Sequence, residues 1–337
     1  MRRARLTEVG KIEVETAAPV PEISSGQALV QVKAVGICGT DLHIFKEGRS
    51  DVALPRVMGH ELSGVVTKIG DGVKNVKPGD RVVMDPVIAC GKCRTCRKGH
   101  PNVCESVKCF GVQMDGGFQD YIGVDAKLLY PFPETLSFEE AALAEPFSVA
   151  SNVLARTRVF REDRIVIIGA GTIGLCILQA AKGIGAEVLI SDIENKKLER
   201  AAAFGADRVV NTREESLEAA AEAFFPGGAD VIIDAVGSAA LTQSAVDLAA
   251  PCARIAVLAF DGKNMEIPPV RITKKELELI GSRMNCGRFP EVLEWMKTRA
   301  IRPEQMITAV YPVEEIQRAF EDLASGRGDA VKTIIRF

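Results

Sequence analysis

The chain has 337 residues, which is long enough for two domains that each have a hydrophobic core. Its hydrophobic content of 47% and net charge of −3 give no reason to expect nucleic acid or an acidic membrane surface as a partner. No apolar run approaches the roughly 18 residues of a membrane span, and the N-terminal arginines are not followed by a signal-peptide core. We therefore expect a soluble, cytoplasmic protein.

The first part of the chain predicts strands separated by turns. Alternating or continuous apolar residues indicate strands near 12–14, 28–32, 64–69, 80–84 and 121–124. Ser137 is a good N-cap, and Glu140 three residues later would complete a capping box. A helix is therefore predicted to start at Ser137, after a β-rich region.

Nine cysteines is an odd number for a disulfide scaffold, and four of them lie close together in the sequence. Cys90, Cys93, Cys96 and Cys104 have the spacing C-x2-C-x2-C-x7-C. Four thiolates at this spacing can close a tetrahedral zinc site that has no open position and stabilises a loop. An iron–sulfur cluster uses the same ligands, but the last gap and the lack of a proline after Cys104 count against it.

A second, scattered set of residues has metal-ligand chemistry: Cys38, His60, Glu61 and Glu145. Cys38 lies between two glycines, and Glu145 is a charge directly after an apolar Ala-rich stretch. A catalytic zinc needs three protein ligands and one open position, which cysteine, histidine and a carboxylate can supply. From the residues alone, a core cysteine and a surface His–Glu pair remain equally good interpretations.

The segment from Arg164 to Asp192 predicts a dinucleotide-binding βαβ unit. An apolar strand, Ile165 to Ile168, is followed by Gly169, Gly171 and Gly174 in the pattern G-x-G-x-x-G, and then by a helix that opens with Thr172 and Ile173. The glycines allow a tight turn, close approach of a pyrophosphate and close helix–strand packing. Asp192 ends the next strand, 18 residues after the last glycine, where a carboxylate can bind the adenosine ribose.

Strands and helices alternate from this unit to about Ser282. Six strands are predicted, at 165–168, 187–191, 208–210, 230–234, 254–258 and 277–281. Besides the helix after the glycines, helices are predicted near 195–204, 214–224 and 239–249. This order predicts a doubly wound parallel sheet. Helices over 291–299 and 313–325 and a strand over 331–336 follow, and we interpret this tail as returning to the first domain.

These motifs resemble those of the zinc-dependent medium-chain dehydrogenases/reductases over essentially the whole chain. The matching segments occur in the family's order: GICGTDLHIFKEG, GHELSG, CGKCRTCRKGHPNVC, DGGFQDY, AEPFSVA and GAGTIG. The nearest branch is similar to the sorbitol, threonine and sugar-acid dehydrogenases. The segment GSRMNCGRFPEVLEWM resembles bacterial L-gulonate and L-galactonate 5-dehydrogenases.

The resemblance implies an α/β fold with a GroES-like β-rich catalytic domain and a Rossmann domain, and an active site in the cleft between them. We predict the catalytic domain at residues 1–150 and 289–337, with the zinc lobe at 90–104, and the NAD-binding domain at 151–288. A homodimer or homotetramer is the usual assembly in such a family.

The resemblance also implies the roles of individual residues. Cys38, His60 and Glu145 match the ligands of a catalytic zinc, and Glu61 matches an acidic residue that can take or release the fourth position. Thr40 matches a hydroxyl that passes the substrate proton, through the cofactor ribose, toward His43.

Two further expectations concern the cofactor and the substrate. Asp192 implies NAD rather than NADP, because a carboxylate repels a 2′-phosphate, and Lys197 matches a basic residue near the ribose. The expected reaction moves hydride between NAD and a secondary alcohol of a small polyhydroxy substrate, with two zinc ions per chain. A sugar acid would need a cation, for which Arg283 is the candidate. Its other interpretations are a cofactor contact or a surface arginine. A polyol or L-threonine dehydrogenase is the alternative enzyme, and an NAD-binding protein without activity is a different class of function.

Overall fold

A computed structural model describes residues 1–258, 262–326 and 330–337. Its strands, in chain order, are β1 (Arg3–Glu8), β2 (Lys11–Glu15), β3 (Gln27–Gly36), β4 (Glu61–Ile69), β5 (Arg81–Met84), β6 (Val87–Ile88), β7 (Lys108–Cys109), β8 (Tyr121–Asp125), β9 (Leu129–Pro131), β10 (Arg164–Ile168), β11 (Glu187–Asp192), β12 (Arg208–Asn211), β13 (Ala229–Asp234), β14 (Ala249–Val257), β15 (Glu278–Gly281), β16 (Ile307–Pro312) and β17 (Lys332–Arg336).

The helices are α1 (Gly39–Glu47), α2 (Arg94–Arg97), α3 (Phe138–Ala142), α4 (Ala144–Arg156), α5 (Thr172–Ile184), α6 (Asn195–Ala203), α7 (Leu217–Phe224), α8 (Ala239–Leu248), α9 (Pro269–Thr273), α10 (Phe289–Lys297) and α11 (Ile316–Ala324). The elements form two compact units. One comprises Met1–Glu145 with Cys286–Phe337, and the other comprises Pro146–Asn285. Among the described helices, none is long and apolar enough to cross a lipid bilayer.

The first unit is built on a seven-stranded sheet in which β3 is the longest strand. The order is β16-β17-β3-β4-β5-β9. The seventh strand, β8, pairs with residues 27–31 of β3, whereas β17 pairs with residues 34–36. β17 lies between β16 and β3, so a segment near residue 334 is hydrogen-bonded to one near residue 35. The core under this sheet includes Phe45, Phe118 and Phe320, whose rings pack against one another.

The second unit is a six-stranded parallel sheet with the order β12-β11-β10-β13-β14-β15. The predicted parallel doubly wound sheet is confirmed, because each apolar run forms a buried strand and four of the five crossovers contain a helix of at least eight residues. In the described part of the β14–β15 crossover the helix is the short α9. β10 is central, and the chain moves from it first to β11 and later to β13 on the other side. The strand order therefore reverses between β10 and β13, where open α/β sheets bind ligands at the carboxyl ends of their strands.

Element boundaries differ from the sequence predictions where side chains intervene. α7 begins at Leu217 rather than near residue 214, because Ser216 caps it through Ala219 N and Asn211 bonds within the preceding loop. β14 begins at Ala249, five residues before the predicted strand. The predicted helix start is confirmed: Ser137 and Glu140 form the capping box of α3.

Candidate functional site

Cys38 lies at the N-cap of α1, where β3 gives way to helix. Its Sγ accepts a hydrogen bond from Thr40 N at 3.5 Å. Asp41 accepts from Cys38 N at 3.0 Å and from Gly59 N at 3.2 Å, so one buried carboxylate joins the start of α1 to the turn that precedes β4. Burial raises the pKa of Asp41, an effect that His60 opposes. The Asp41 contacts hold Cys38 and His60 in a fixed relation.

His60 is buried beside this pair. Its Nδ1 is 3.8 Å from Asp41 Oδ1, and this buried atom has no hydrogen-bond partner among the described residues. Burial disfavours a charged imidazole, yet the negative charges of Cys38 and Asp41 outweigh it and raise the pKa of His60 well above its usual value. Negative groups that favour a protonated imidazole also favour a metal cation, which can replace the imidazole proton.

Glu61 begins β4 and forms a buried ion pair that crosses the sheet. Lys332 Nζ, on β17, lies 2.7 Å from Glu61 Oε1 and 2.6 Å from Oε2, and it donates a further bond to Ile37 O at 3.1 Å. Gly36 faces Glu61 across the β3–β4 pair, and a Cβ there would lie 2.1 Å from Glu61 Oε2. Glycine at this position therefore makes room for the carboxylate.

Cys38, His60 and Glu61 together offer a sulfur, a nitrogen and an oxygen that all lie within 4.8 Å of one another. This donor set suits zinc, which binds all three atom types. The unpartnered Nδ1 of His60 is consistent with a nitrogen that is kept for a ligand. The residues present therefore fit a metal ion.

Glu145 is in the first turn of α4 and is 8% exposed. Burial raises the pKa of its carboxyl group to about 7, while His60 acts in the opposite direction and Glu61 adds to the increase. Its oxygens do not belong to the group of atoms within 4.8 Å that Cys38, His60 and Glu61 form. The structure thus places Glu145 in the electrostatic field of the group, and its role as a ligand stays a prediction.

Thr40 and His43 lie three residues apart on α1, so they share one face of the helix. The side chain of His43 is 51% exposed, and its Nδ1 is 3.6 Å from Glu47 Oε2. An exposed imidazole on the same helix face as Thr40 can exchange protons with water.

The four lobe cysteines converge as their spacing predicts. The Sγ atoms of Cys93 and Cys96 are 3.4 Å apart, those of Cys93 and Cys104 are 3.9 Å apart, and those of Cys90 and Cys96 are 4.0 Å apart. A tetrahedral ion with zinc–sulfur bonds of about 2.3 Å would set its sulfurs about 3.8 Å apart.

Hydrogen bonding within the lobe already favours thiolates at two of the four positions. The Thr95 hydroxyl and backbone amides lower the pKa of Cys93 to about 5, and the amides of Cys90 and Ser106 lower the pKa of Cys104. Burial among the other sulfurs raises the pKa of Cys96 to about 12. The sulfur of Cys96 thus requires a cation before it can ionise at neutral pH.

The glycine-rich turn follows β10. Gly171 is the N-cap of α5, which begins with Thr172 and Ile173, and a Cβ at Gly174 would lie 1.9 Å from Gly169 O. The turn thus depends on glycine for its close packing, and it leads directly into the N-terminus of α5, a type of helix end that favours anions.

Asp192 ends β11 beside this turn. It accepts hydrogen bonds from Ala170 N at 2.8 Å, Ile193 N at 2.7 Å and Glu194 N at 3.1 Å. Lys197 Nζ is 4.0 Å from Asp192 and 2.6 Å from Glu194. The carboxylate is therefore fixed in place at the carboxyl end of the sheet.

Arg283 follows β15 and is exposed. The loop that carries it is held by Asn152, whose Nδ2 donates to Ser282 Oγ at 3.3 Å, Arg283 O at 3.2 Å and Met284 O at 3.0 Å. Met284 has a φ of 53°, which is unusual for a residue with a side chain. Asn152 thus stabilises a strained loop.

Three of these residues were not identified from the sequence. Asp41 had a signal, since it lies three residues after the N-cap Cys38, as in a capping box. Lys332 had a weaker one, a lysine at the start of an apolar terminal strand. Asn152 had none, because its partners lie about 130 residues away.

Family models match two parts of the chain. The alcohol dehydrogenase GroES-like domain matches residues 24–134, and the zinc-binding dehydrogenase model matches residues 172–298. Among curated relatives, the starvation-sensing protein RspB of Escherichia coli K12 is 36% identical and covers 96% of this chain and 95% of its own length. The sorbitol dehydrogenase of Bacillus subtilis is 33% identical, with 99% and 97% covered.

A sugar-acid enzyme is also among the relatives. The 2-dehydro-3-deoxy-L-galactonate 5-dehydrogenase of Pseudoalteromonas atlantica is 34% identical, with 96% of this chain and 94% of its own length covered. A solved alcohol dehydrogenase, RspB of E. coli CFT073 in complex with NADH, is 34% identical and has a TM-score of 0.95, with 100% and 99% covered. Zinc and NAD are typical cofactors of such proteins. The chain therefore belongs to the zinc-dependent medium-chain dehydrogenases/reductases, and it is an oxidoreductase that acts on CH–OH groups.

Proposed function

We propose that this protein is an NAD-dependent dehydrogenase that oxidises a secondary alcohol of a sugar acid, of the L-gulonate or L-galactonate 5-dehydrogenase type. The observation that carries the proposal is the group formed by half-buried Cys38 and buried His60 and Glu61, whose ligand atoms lie within 4.8 Å of one another. An NAD-binding protein without activity would have no use for such a costly set of buried polar groups.

The chemistry follows from the donor set. A zinc ion held by Cys38, His60 and a carboxylate, which we assign to Glu145, would stabilise the alkoxide form of the substrate alcohol. Glu61, whose carboxylate is bonded to Lys332, is the acidic residue that can take or release the fourth ligand position. The Thr40 hydroxyl relays the proton: it accepts the substrate proton as it passes its own on, through the cofactor ribose, toward His43, whose side chain is 51% exposed and can release a proton to water.

The cofactor side is assigned to the second unit. Gly169, Gly171, Thr172, Ile173 and Gly174 form the pyrophosphate site, where the glycines allow close approach and the N-terminus of α5 faces the phosphates. Asp192 accepts bonds from the ribose hydroxyls and disfavours a 2′-phosphate, and Lys197 lies 4.0 Å from it. We also propose that residues 1–150 and 289–337 act as the catalytic domain and residues 151–288 as the NAD-binding domain.

The substrate class is supported by the sugar-acid relative and by an exposed cation. We assign Arg283 to the substrate carboxylate, since its loop is fixed by Asn152. Arginine binds carboxylates through two parallel hydrogen bonds. A polyol dehydrogenase is the second candidate, because the sorbitol dehydrogenase of B. subtilis is 33% identical to this chain.

The test is NADH production from a panel of hexonates, polyols and L-threonine. We expect turnover of a hexonate, and we expect Arg283→Ala to raise KM for the hexonate by about tenfold or more, as loss of a charged hydrogen-bonding partner does. The same variant should leave KM for any polyol substrate unchanged.

The control is Arg213→Ala, which removes another exposed arginine of the same unit. Turnover of polyols or threonine without any hexonate activity would contradict the substrate assignment. Equal effects of the two arginine variants would contradict the role of Arg283.

A further inference from the structure

The loop after β13 lies directly against the glycine-rich turn. Ile168, the last residue of β10, pairs with Asp234, the last residue of β13, and Ala235 N donates to Ile168 O at 2.9 Å. A Cβ built on Gly169 would lie 2.7 Å from Val236 Cγ2. Residues 235–238 therefore lie beside the glycine-rich turn, at the place between β10 and β13 where the strand order reverses.

A fully buried carboxylate holds this loop. Asp234 Oδ1 accepts from Val236 N at 3.1 Å and Gly237 N at 3.0 Å. Its Oδ2 accepts from Ser238 N at 3.0 Å and from the hydroxyl of Thr242, on α8, at 2.8 Å. Both side chains are 0% exposed. Four donors thus converge on one carboxylate, which is a costly group to bury unless all its bonds are made.

The loop exposes an apolar side chain despite being held so firmly. Val236 is 59% exposed, although its own amide and that of Gly237 are held by Asp234. Gly237 has a φ of 80°, which completes the turn. An exposed valine at the carboxyl ends of parallel strands, next to the glycine-rich turn, lies where such sheets bind ligands.

We propose that Asp234 and Thr242 form a positioning pair that holds residues 235–238 as a preformed wall of the dinucleotide site, opposite Asp192 across β10. The proposal rests on the NAD dependence of the proposed function. Without the carboxylate, three loop amides would lose their partner, and the loop would have to be ordered when the cofactor binds. That ordering would weaken binding of the dinucleotide and leave the chemical step at saturation unchanged.

The test is a titration of the full-length, zinc-loaded protein with NADH, followed by nicotinamide fluorescence, with KM for NAD and kcat measured alongside. Thr242→Val keeps the side-chain volume and removes one bond to Oδ2. We expect it to raise the Kd of NADH by about three- to tenfold, with kcat nearly unchanged. Thr242→Ser restores the hydroxyl and should lie within about twofold of wild type. Asp234→Asn turns one acceptor into a donor that faces amides, so its effect should be larger.

The control is Thr157→Val. Thr157 is also 0% exposed and in the same unit, but it directly follows α4 and its hydroxyl donates to Val153 O of that helix at 2.8 Å. It should lower the melting temperature without changing the Kd of NADH. If Thr242→Val binds NADH as wild type does and loses only stability, like the control, the positioning role is wrong. The two Thr242 variants decide the matter even if Asp234→Asn does not fold. A wild-type protein that does not bind NADH would instead overturn the proposed function.

Discussion

The ion pair between Glu61 and Lys332 gives the sharpest test of the site's electrostatics. The side chains of Lys332 and Glu61 are 2% and 1% exposed, and Lys332 Nζ makes contacts of 2.7 and 2.6 Å with both carboxylate oxygens. Lys332→Met keeps the length of the side chain and removes its charge. Glu61 is then left buried without its cation, which typically costs about 3–5 kcal/mol.

This loss should appear as a large change in thermal unfolding. In a domain of about 150–250 residues, 1 kcal/mol shifts Tm by about 2–4 °C, so we expect Tm to fall by about 6–20 °C in zinc-free protein. Zinc-loaded protein should lose less, because the ion would supply positive charge next to the carboxylate. Adding Glu61→Gln should recover most of the loss, since it removes the uncompensated charge.

The measurement is calorimetry of wild type, the two single variants and the double variant, with and without zinc. Lys182→Met is the control, because Lys182 pairs with Asp207 at 2.7 Å in a half-exposed setting that is worth at most about 1 kcal/mol. A Lys332→Met protein that unfolds like the Lys182→Met control would refute the reasoning.

Three further predictions concern the cofactor, the metal and pH. Asp192→Asn should lose discrimination against NADP in steady-state kinetics, because the negative charge is removed, and it should weaken NAD as well, because its NH2 group faces a backbone amide. A wild-type preference for NADP would contradict this. Brief chelation should remove one of two zinc ions together with activity, and Cys96→Ser should lose the other ion while the catalytic one remains; iron in metal analysis would contradict the lobe assignment. The pKa of Glu140 is lowered because the Ser137 amide and Arg299 outweigh the effect of burial. The ionised Glu140 carboxylate therefore stabilises the fold fully at pH values above its ordinary pKa of 4.5, and this contribution is lost as pH falls through the lowered pKa. Glu140→Gln should therefore flatten the dependence of stability on pH below about 4.5.

The parts of the fold that sequence predicts well are those whose signals are local. The run Ile165–Ile168 is apolar throughout and forms a strand buried on both faces, and Gly174 is required by a close contact with Gly169 O in the same turn. The capping box of α3 is likewise contained in four residues. The cysteine lobe converges because all four sulfurs belong to a segment of fifteen residues.

The features that the sequence did not predict depend on residues far apart in the chain or on uncommon residues at a helix start. α1 was not predicted, because its N-cap is a cysteine and its first residue is Gly39, neither of which is a strong helix-start signal. The bond between Lys332 and Glu61 joins residues 271 positions apart, and no periodic pattern reports such a pair. Exposed and buried carboxylates look the same in sequence, so Glu145 needed the fold to show that it is 8% exposed.

The two metal groups also differ in when they can assemble. The lobe closes within a short segment, so its thiols can meet an ion as soon as that segment leaves the ribosome. The catalytic group needs β4 paired with β3, and Glu61 needs the lysine on β17, which lies between β3 and β16. Until β17 is in place, Glu61 faces Gly36 without its cation. We therefore expect the two groups to assemble in order: the cysteine lobe can bind its ion locally, whereas Glu61 gains its cation only when β17 enters the sheet.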